Sequence, residues 1–253
     1  MTVGFLESGR GPATQARLYA FPHAGGMAHE FRDWAALVPG IDVCALQLPG
    51  RPPYMGSDPI EDVRAIAKAA AAEIRVDLPF GLIGHSFGAL VAYETLRVLQ
   101  SEYGCVGEAQ FAWGSPTLWA SAFPAPHRIP EAPAIAALSD QRLLSFLAER
   151  FDAVPREVLS DPELMTIVVG YLRSDYTALE RYRFEPGPRL NADIQVLLGS
   201  EDDLDPSASS SWADLTTRDC DVAVMPGDHF YIREPDARAQ IADRVTSALI
   251  GKA

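Results

Sequence analysis

The stretch that decides the fold is FGLIGHSFG at residues 80–88, in which Ser86 stands in a Gly-x-Ser-x-Gly frame. The residues before the serine are typical of a buried strand, and the run ALVAYETL that follows is typical of a buried helix. A serine in such a sharp strand-to-helix turn exposes its hydroxyl, and Gly84 and Gly88 are needed because side chains there would collide across the turn. The first amides of the helix point at the same place and can bind an anion. The stretch therefore predicts a nucleophilic serine.

The base that would activate this serine must be one of five histidines. His229 follows a strand-like run and a turn at residues 226–228, and it precedes the last helical stretch. His85 belongs to the turn itself, where we expect a buried spacer beneath Ser86. The other three lack the right chain context, because His23 lies in an early Gly-rich loop, His29 just before the first helix, and His127 among prolines with no strand before it. We therefore predict His229 as the general base.

The acid of a triad is expected on the loop after the preceding strand, where it can orient the histidine. The strand-like run at residues 194–198 leads into GSEDDLDP at residues 199–206, which holds several carboxylates. Asp202, in a Gly-x-x-Asp spacing, is the first candidate, and Asp203 is the alternative. Asp205 stands before Pro206 and is interpreted as a turn former. The chain order of serine, acid and histidine is that of α/β-hydrolases.

A second amide donor for an oxyanion usually comes from the loop after an early central strand. Here an alternating run at residues 17–21 leads into PHAGG at residues 22–26. Gly25 and Gly26 allow backbone N–H groups to approach a ligand closely. The candidate oxyanion donors are the backbone amides of Ala24 and Phe87.

Six stretches carry a resemblance to a known family. They are FPHAGG (21–26), QLPGR (47–51), GHSFG (84–88), DPEL (161–164), LRSDY (172–176) and GDHF (227–230). On these motifs the chain resembles a type II thioesterase of the α/β-hydrolase superfamily, the free-standing kind that serves polyketide and non-ribosomal peptide synthases in antibiotic biosynthesis. Two departures are Ser174, where the family usually has Ala, and the sequence GSEDD in place of a Gly-Gly-x-x-Asp-Pro pattern.

The resemblance implies a function and a partner. It implies a serine hydrolase that cleaves acyl, aminoacyl or peptidyl thioesters from the phosphopantetheine arm of an acyl or peptidyl carrier protein, and so removes stalled or wrong acyl groups. A carboxylesterase or lactonase that acts on a free small molecule is an alternative. A synthase-docking protein without turnover is a second alternative, which the complete set of triad residues disfavours.

Alternating strand and helix signals predict an α/β fold, with a mostly parallel sheet covered by helices on both faces, in a single domain over 1–253. The predicted strands lie near 16–22, 41–48, 79–84, 109–114, 193–199 and 220–226. The predicted helices lie near 30–38, 59–76, 87–102, 209–217 and 234–250. The last helix shows an apolar stripe with a spacing of four residues: Ala237, Ile241, Val245 and Leu249.

The span 116–191 is too long for a loop in a compact domain and is predicted to be a helical lid insertion. It opens with several prolines and then gives two helix signals, one at 141–151 and one that starts near 160–163 with a capping-box pattern. The apolar face of the second helix either covers an acyl channel or simply packs on the core. Both interpretations are open on the sequence alone.

Charge limits the choice of partner. The formal net charge of −13 argues against nucleic-acid binding, which depends on neutralising phosphates. Carrier proteins are themselves usually acidic, so docking would require a local arginine surface. The candidates are Arg128, Arg142, Arg150, Arg156, Arg181 and Arg183.

Composition is that of a compact enzyme, and the predicted serine chemistry calls for no metal and no cofactor. The chain has 253 residues, of which 48% are hydrophobic, and three cysteines without metal-like spacing. Neither a signal peptide nor a run of about 18 apolar residues is seen, so we expect no membrane association and a cytoplasmic location with reduced thiols. The oligomeric state is not determined by the sequence, and a monomer is the simplest expectation.

Overall fold

The computed structural model describes residues 3–9, 11–102, 115–130, 134–151 and 161–251. Within these ranges seven strands form one sheet: β1 (Gly4–Ser8), β2 (Ala16–Phe21), β3 (Ile41–Gln47), β4 (Phe80–His85), β5 (Thr117–Ser121), β6 (Asp193–Gly199) and β7 (Cys220–Met225). Their order across the sheet is β1-β3-β2-β4-β5-β6-β7. Strand β1 is antiparallel to β3, and the remaining pairs are parallel. The predicted mostly parallel sheet is confirmed.

Seven α-helices occur in the described part of the chain. They are α1 (Trp34–Leu37), α2 (Val63–Glu73), α3 (Phe87–Glu102), α4 (Asp140–Phe151), α5 (Pro162–Arg181), α6 (Pro206–Ser210) and α7 (Pro235–Leu249). The helix predicted at 30–38 is instead a 3-10 turn, Ala28–Phe31, followed by the short α1. Helix α2 is shorter than the predicted 59–76, because Asp62 caps it by accepting a hydrogen bond from the Ala65 N–H. No helix among the described residues combines the length and apolarity that a membrane span requires.

Apolar side chains from the helices cover both faces of the sheet. On one face Ile66 of α2 and Leu90 of α3 belong to a single buried cluster. On the other face Trp34 of α1 packs in a second cluster with Ile241 and Val245 of α7. A parallel sheet needs both faces covered, because its strands are apolar on both sides. The two clusters explain why β2, β3 and β4 are buried along their whole length.

The last helix follows its predicted stripe. Its four stripe residues are buried: Ala237, Ile241, Val245 and Leu249. Pro235 is its first residue, where a missing N–H costs no helical hydrogen bond. Helix α7 therefore packs on the sheet directly after the loop that carries His229.

Two strands differ from expectation. Strand β1 was not predicted, because it is a short edge strand whose outer residues are exposed, with Leu6 42% exposed. The strand predicted at 109–114 lies outside the described residues, and the strand that pairs with both β4 and β6 is β5. Pro116 suggested a loop, but it stands just before β5, where its carbonyl accepts a hydrogen bond from the Asp193 N–H.

The insertion therefore does not begin at 116. Every residue of β5 is buried in the centre of the sheet, so the predicted boundary of 116–191 starts too early and the insertion follows Ser121. Its helices α4 and α5 share a small core of their own, which includes Leu143 and Leu172. Arg173 reinforces this core by donating hydrogen bonds to the carbonyl groups of Ala136 and Leu138. The predicted apolar face of α5 is only partly buried. Its N-terminal part is exposed, whereas its later part is buried.

The surroundings of the two cysteines in the described part of the chain make their thiols unreactive. Cys44 and Cys220 are free thiols, and Cys105 lies outside the described residues. Burial raises the pKa of Cys44 to about 12 and that of Cys220 to about 11. Because the thiolate is the reactive form, neither thiol is a nucleophile near neutral pH.

Candidate active site

Ser86 lies in the turn between β4 and α3. Ser86 has a φ of 53°, in the left-handed region, and its N–H donates to the carbonyl of Ser121 at 2.8 Å. A Cβ on Gly84 would collide with the carbonyl of Gly88, and a Cβ on Gly88 would collide with that of Phe21. Glycine at both positions therefore lets the start of α3 lie directly against β4 and β2.

His229 and Asp202 meet at the carboxyl edge of the sheet. The Nδ1–H of His229 donates to Oδ2 of Asp202 at 2.9 Å, and the carboxylate is 7% exposed. The loops that carry them, after β6 and after β7, are joined by backbone hydrogen bonds such as Ser200 N–H to Met225 O at 2.8 Å. With Nδ1 donating to the acid, Nε2 of His229 is left with a lone pair that can accept a proton.

The neighbouring acids are placed differently. Asp203, the alternative from the sequence, is exposed, whereas Asp202 is hydrogen-bonded to His229. Asp205 caps α6 by accepting a hydrogen bond from the Ser207 N–H at 2.8 Å, which confirms it as a turn former. Among these acids Asp202 is thus the one that is hydrogen-bonded to His229, whereas Asp203 and Asp205 have exposed side chains.

His85 is buried beside His229. Its Nδ1 is hydrogen-bonded to the hydroxyl of Ser121 at 2.8 Å, and its ring centroid lies 5.2 Å from that of His229. Burial, with a smaller effect from the positive charge that His229 can carry, lowers the pKa of His85 well below its usual value. The ring is therefore neutral and does not compete for a proton near neutral pH.

Several hydrogen bonds hold the loop after β2 in place. The Gly26 N–H donates to the carbonyl of His23 at 2.8 Å, and Nδ1–H of His23 donates to the carbonyl of Ala24 at 2.8 Å. Gly25, with a φ of +81°, donates its N–H to Oδ2 of Asp175 at 2.7 Å. The Ala24 N–H has no partner among the described residues, so it is available to a ligand.

The two candidate oxyanion donors lie on elements that touch. Phe87 is the first residue of α3, so its N–H has no acceptor within the helix. The close contact of Gly88 with the carbonyl of Phe21 holds this helix start against the end of β2, from which the loop with Ala24 departs. The arrangement provides two backbone donors at the carboxyl edge of the sheet, as an oxyanion hole requires.

Glu30 supports this loop from the neighbouring 3-10 turn. Its carboxylate accepts the Met27 N–H at 2.9 Å and lies 3.1 Å from Nε2 of His23, with Arg233 at 3.5 Å. Burial alone would raise the pKa of Glu30, but His23, the Met27 N–H and Arg233 together lower it to about 2. A cavity of about 130 Å³ adjoins these charged groups and reaches His85.

Sequence reasoning missed Asp175 and Arg51. Both fall in stretches that carry the family resemblance, yet nothing in those stretches indicated that they touch. The guanidinium of Arg51 bonds to Oδ2 of Asp175 across 124 positions of the chain, and both side chains are buried. Contact between such distant positions depends on how the insertion folds back, which the pattern of a single sequence does not reveal.

The predicted arginine surface divides into two groups. Arg128 and Arg142 are exposed and make no ion pair within the described residues. Arg181 pairs with Glu61 at 2.8 Å, and Arg183 donates to backbone carbonyl groups. Two further candidates fall outside what the structure describes: the side chain of Arg150 and the whole of Arg156.

Comparison with known proteins identifies the family. The model of the thioesterase domain family matches residues 16–249. The chain belongs to this family. The thioesterase PikA5 of Streptomyces venezuelae is 32% identical to it over 88% of this chain and 78% of that one. The gramicidin S biosynthesis protein GrsT of Aneurinibacillus migulanus is 29% identical over 91% and 88% of the two chains.

A solved structure resembles this one along nearly the whole chain. The type II thioesterase BorB from the borrelidin biosynthetic cluster superposes with a TM-score of 0.82, is 32% identical, and covers 97% of both chains. The resemblance to type II thioesterases and the α/β-hydrolase fold, both predicted from the sequence, are confirmed. As a thioesterase the chain is a hydrolase.

Proposed function

We propose that this thioesterase hydrolyses acyl, aminoacyl or peptidyl thioesters on the phosphopantetheine arm of carrier proteins, and so removes stalled or wrong acyl groups during polyketide or non-ribosomal peptide synthesis. The observation that carries the proposal is the hydrogen bond between His229 and Asp202 at the sheet edge where Ser86 stands in its strained turn. The similarity to PikA5 and BorB supports the substrate class.

Acylation begins when Oγ of Ser86 attacks the thioester carbonyl. The serine proton passes to Nε2 of His229, and Asp202 stabilises the imidazolium that forms. The carbonyl oxygen becomes an oxyanion, which accepts hydrogen bonds from the N–H groups of Ala24 and Phe87. Collapse of this intermediate breaks the carbon–sulfur bond, and the thiol leaves with the proton that His229 held.

Deacylation repeats the same steps with water. His229 takes a proton from a water molecule, whose oxygen attacks the acyl-Ser86 carbonyl. The same two amides bind the second oxyanion. Its collapse returns the proton to Oγ of Ser86 and releases a carboxylic acid. The neutral His85 beside His229 favours this cycle, because a charged neighbour would make the imidazolium harder to form.

The exposed arginines favour a carrier-bound substrate over a free ester. Arg128 follows β5, so it lies towards the carboxyl edge of the sheet, where the proposed triad stands. Arg142 lies on α4 of the insertion. An acidic carrier that docks here would bring its phosphopantetheine arm towards Ser86, in spite of the overall charge of −13.

The proposal is tested by comparing one acyl group on three leaving groups. The substrates are an acyl thioester on a holo carrier protein, the same acyl group on a short thiol, and its p-nitrophenyl ester. Binding energy from the arm and the carrier surface should appear in the transition state, so kcat/KM should be highest for the carrier-bound form. Ser86→Ala should abolish turnover of all three. A higher kcat/KM for the free ester would instead favour a carboxylesterase.

A further inference from the structure

Three stretches without a direct role in the proposed triad meet at one buried point. Asp175, on the insertion helix α5, accepts the N–H of Gly25 at 2.7 Å through Oδ2, and the same oxygen accepts a hydrogen bond from Arg51. The side chains of Arg51 and Asp175 are only 2% and 3% exposed. A carboxylate buried this deeply requires hydrogen-bond donors, and one of its donors is the Gly25 N–H in the loop after β2.

This loop is the one that carries the proposed oxyanion donor. The peptide group between Ala24 and Gly25 is held at both ends, since its carbonyl accepts from His23 and its N–H donates to Asp175. Because a peptide group is planar, these two hydrogen bonds fix its rotation. The Ala24 N–H belongs to the adjoining peptide group, whose carbonyl accepts from Gly26. The direction of the donor therefore depends on the bond to Asp175.

Helix α5 packs against the same loop. A side chain on Gly25 would collide with Leu172, which lies almost one turn before Asp175 on α5. The guanidinium of Arg51 lies 4.5 Å from the ring centroid of Tyr171, also on α5. Asp175 is thus fixed by the packing of its helix as well as by its ion pair. A side chain held in this way can orient the Gly25 N–H.

We propose that Asp175 is a positioning residue of the thioesterase reaction, which holds the Gly25 N–H and thereby aims the Ala24 N–H at the oxyanion. This inference rests on the proposed function, because it assigns Asp175 a part in the same oxyanion hole. An oxyanion donor acts mainly in the transition state, so its displacement lowers kcat and leaves KM little changed. A misplacement of about 1 Å costs on the order of 10²-fold in rate.

The decisive variant replaces the buried ion pair by apolar residues. Removing Asp175 alone would leave Arg51 as an unpaired buried charge, whereas an apolar pair of similar volume is often as stable as the ion pair. The double variant Arg51→Met with Asp175→Leu should therefore melt near the wild-type temperature. We expect its kcat to fall about 10²-fold and its KM to stay within about twofold, on both the carrier-bound thioester and the p-nitrophenyl ester.

A conservative variant should restore most of the activity. Asp175→Asn keeps one oxygen that can accept the Gly25 N–H, and it replaces the other oxygen and the negative charge by an NH2 group. We expect its kcat to lie within about tenfold of wild type, well above that of the double variant. Loss of kcat in Asp175→Asn equal to that of the apolar pair would contradict the role of the hydrogen bond.

A second contact of α5 provides a matched control. Tyr182 caps α5 and donates its hydroxyl to Glu94 of α3 at 2.7 Å, so it anchors the same helix without touching the loop after β2. Tyr182→Phe should lower the melting temperature and leave kcat unchanged. If it lowers kcat as much as the apolar pair does, the effect is general anchoring of the helix and the proposal is wrong.

A measurement on the wild-type protein makes the test independent of folding of any variant. The Gly25 amide proton should exchange slowly with solvent, because it is bonded to a buried carboxylate. Exchange at the rate of a free loop amide, or a stable double variant with kcat within about twofold of wild type, would overturn the proposal. Failure of the proposed function would give a different result, namely a higher kcat/KM of the wild-type enzyme for the free ester than for the carrier-bound thioester.

Discussion

Ser86 shows how a single residue can be held in an unfavourable backbone conformation. Its φ of 53° is rare for residues other than glycine, and such strain persists only where the surroundings enforce it. Here two backbone bonds do so, from the Ser86 N–H to Ser121 and from the Ala89 N–H to the Ser86 carbonyl, each at 2.8 Å. These bonds keep Ser86 in its strained conformation at the carboxyl end of β4.

At the same scale, the choice between two adjacent aspartates can be tested. Asp202 bonds to His229 and is largely buried, whereas Asp203 is exposed. Removing the carboxylate that orients the histidine costs on the order of 10⁴-fold in kcat for the serine protease triad. We expect a loss of similar order for Asp202→Asn, measured with a p-nitrophenyl ester.

The neighbouring position supplies the control. Asp203→Asn makes the same chemical change one residue away, and we expect its kcat to stay within about twofold of wild type, as for most surface substitutions. Labelling of Ser86 by a fluorophosphonate probe should be slow in Asp202→Asn and normal in Asp203→Asn, and equal melting temperatures of the two variants would show that the difference does not come from unfolding. The reverse pattern would assign the role to Asp203.

At the scale of elements, Glu30 joins the 3-10 turn Ala28–Phe31 to the loop after β2. Its pKa of about 2 lies below the usual 4.5, so the ionised carboxylate stabilises the folded state. For a lowered pKa this stabilisation is complete above about pH 4.5 and is lost as the pH falls towards 2. A difference of this size corresponds to roughly 3 kcal/mol.

The corresponding prediction concerns Glu30→Gln. The variant should lower the free energy of unfolding by about 3 kcal/mol at pH 6 and by only about 1 kcal/mol at pH 3. Urea unfolding followed by tryptophan fluorescence at both pH values measures the difference. Glu73→Gln, at an exposed position on α2, should have little effect at either pH. A difference that does not change with pH would show that the Glu30 contacts are not electrostatic.

The elements also show what the sequence could and could not predict. The turn around Ser86 was predictable because an apolar run, two glycines and a helix signal all lie within about 20 residues. Strand β5 was not predicted, because Pro116 resembles a loop signal and the strand is only five residues long. Edge strand β1 has too few buried residues to give a pattern.

Local sequence patterns do not predict contacts between distant elements. The choice of Asp202 over Asp203 depends on how the loops after β6 and β7 align, and a shift of one residue leaves every local propensity unchanged. The bond between Arg51 and Asp175 depends on where α5 crosses the sheet edge. The chemistry of the candidate site could thus be named from the sequence, while the residues that hold it in place could not.

At the scale of the whole molecule, charge is distributed unevenly. The chain is strongly acidic, yet Arg128 and Arg142 are exposed without an ion-pair partner in the described ranges. Reversal of both charges, Arg128→Glu with Arg142→Glu, should raise KM for the carrier-bound thioester about tenfold and leave the short-thiol substrate unaffected. Steady-state kinetics at low and moderate salt measures this, and the effect should shrink as salt screens the charges.

An arginine at the opposite edge of the sheet is the matched control. Arg218 is exposed and precedes β7, so it lies at the amino edge, away from the proposed triad. Arg218→Glu changes the net charge in the same direction and should leave carrier-bound turnover close to wild type. Equal losses for reversals at the two edges would indicate a non-specific effect of charge and would argue against docking at Arg128 and Arg142.

The order of the strands has a consequence for how the enzyme is made. Ser86 follows β4, whereas Asp202 and His229 lie on loops after β6 and β7, with more than half of the chain between serine and histidine. On the ribosome the proposed nucleophile therefore emerges long before its proposed acid and base are synthesised. Parallel strands joined across long connections also pair slowly. On the proposed mechanism, a partly synthesised chain would hold an inert Ser86 hydroxyl, and hydrolytic activity would require that β7 has joined the sheet.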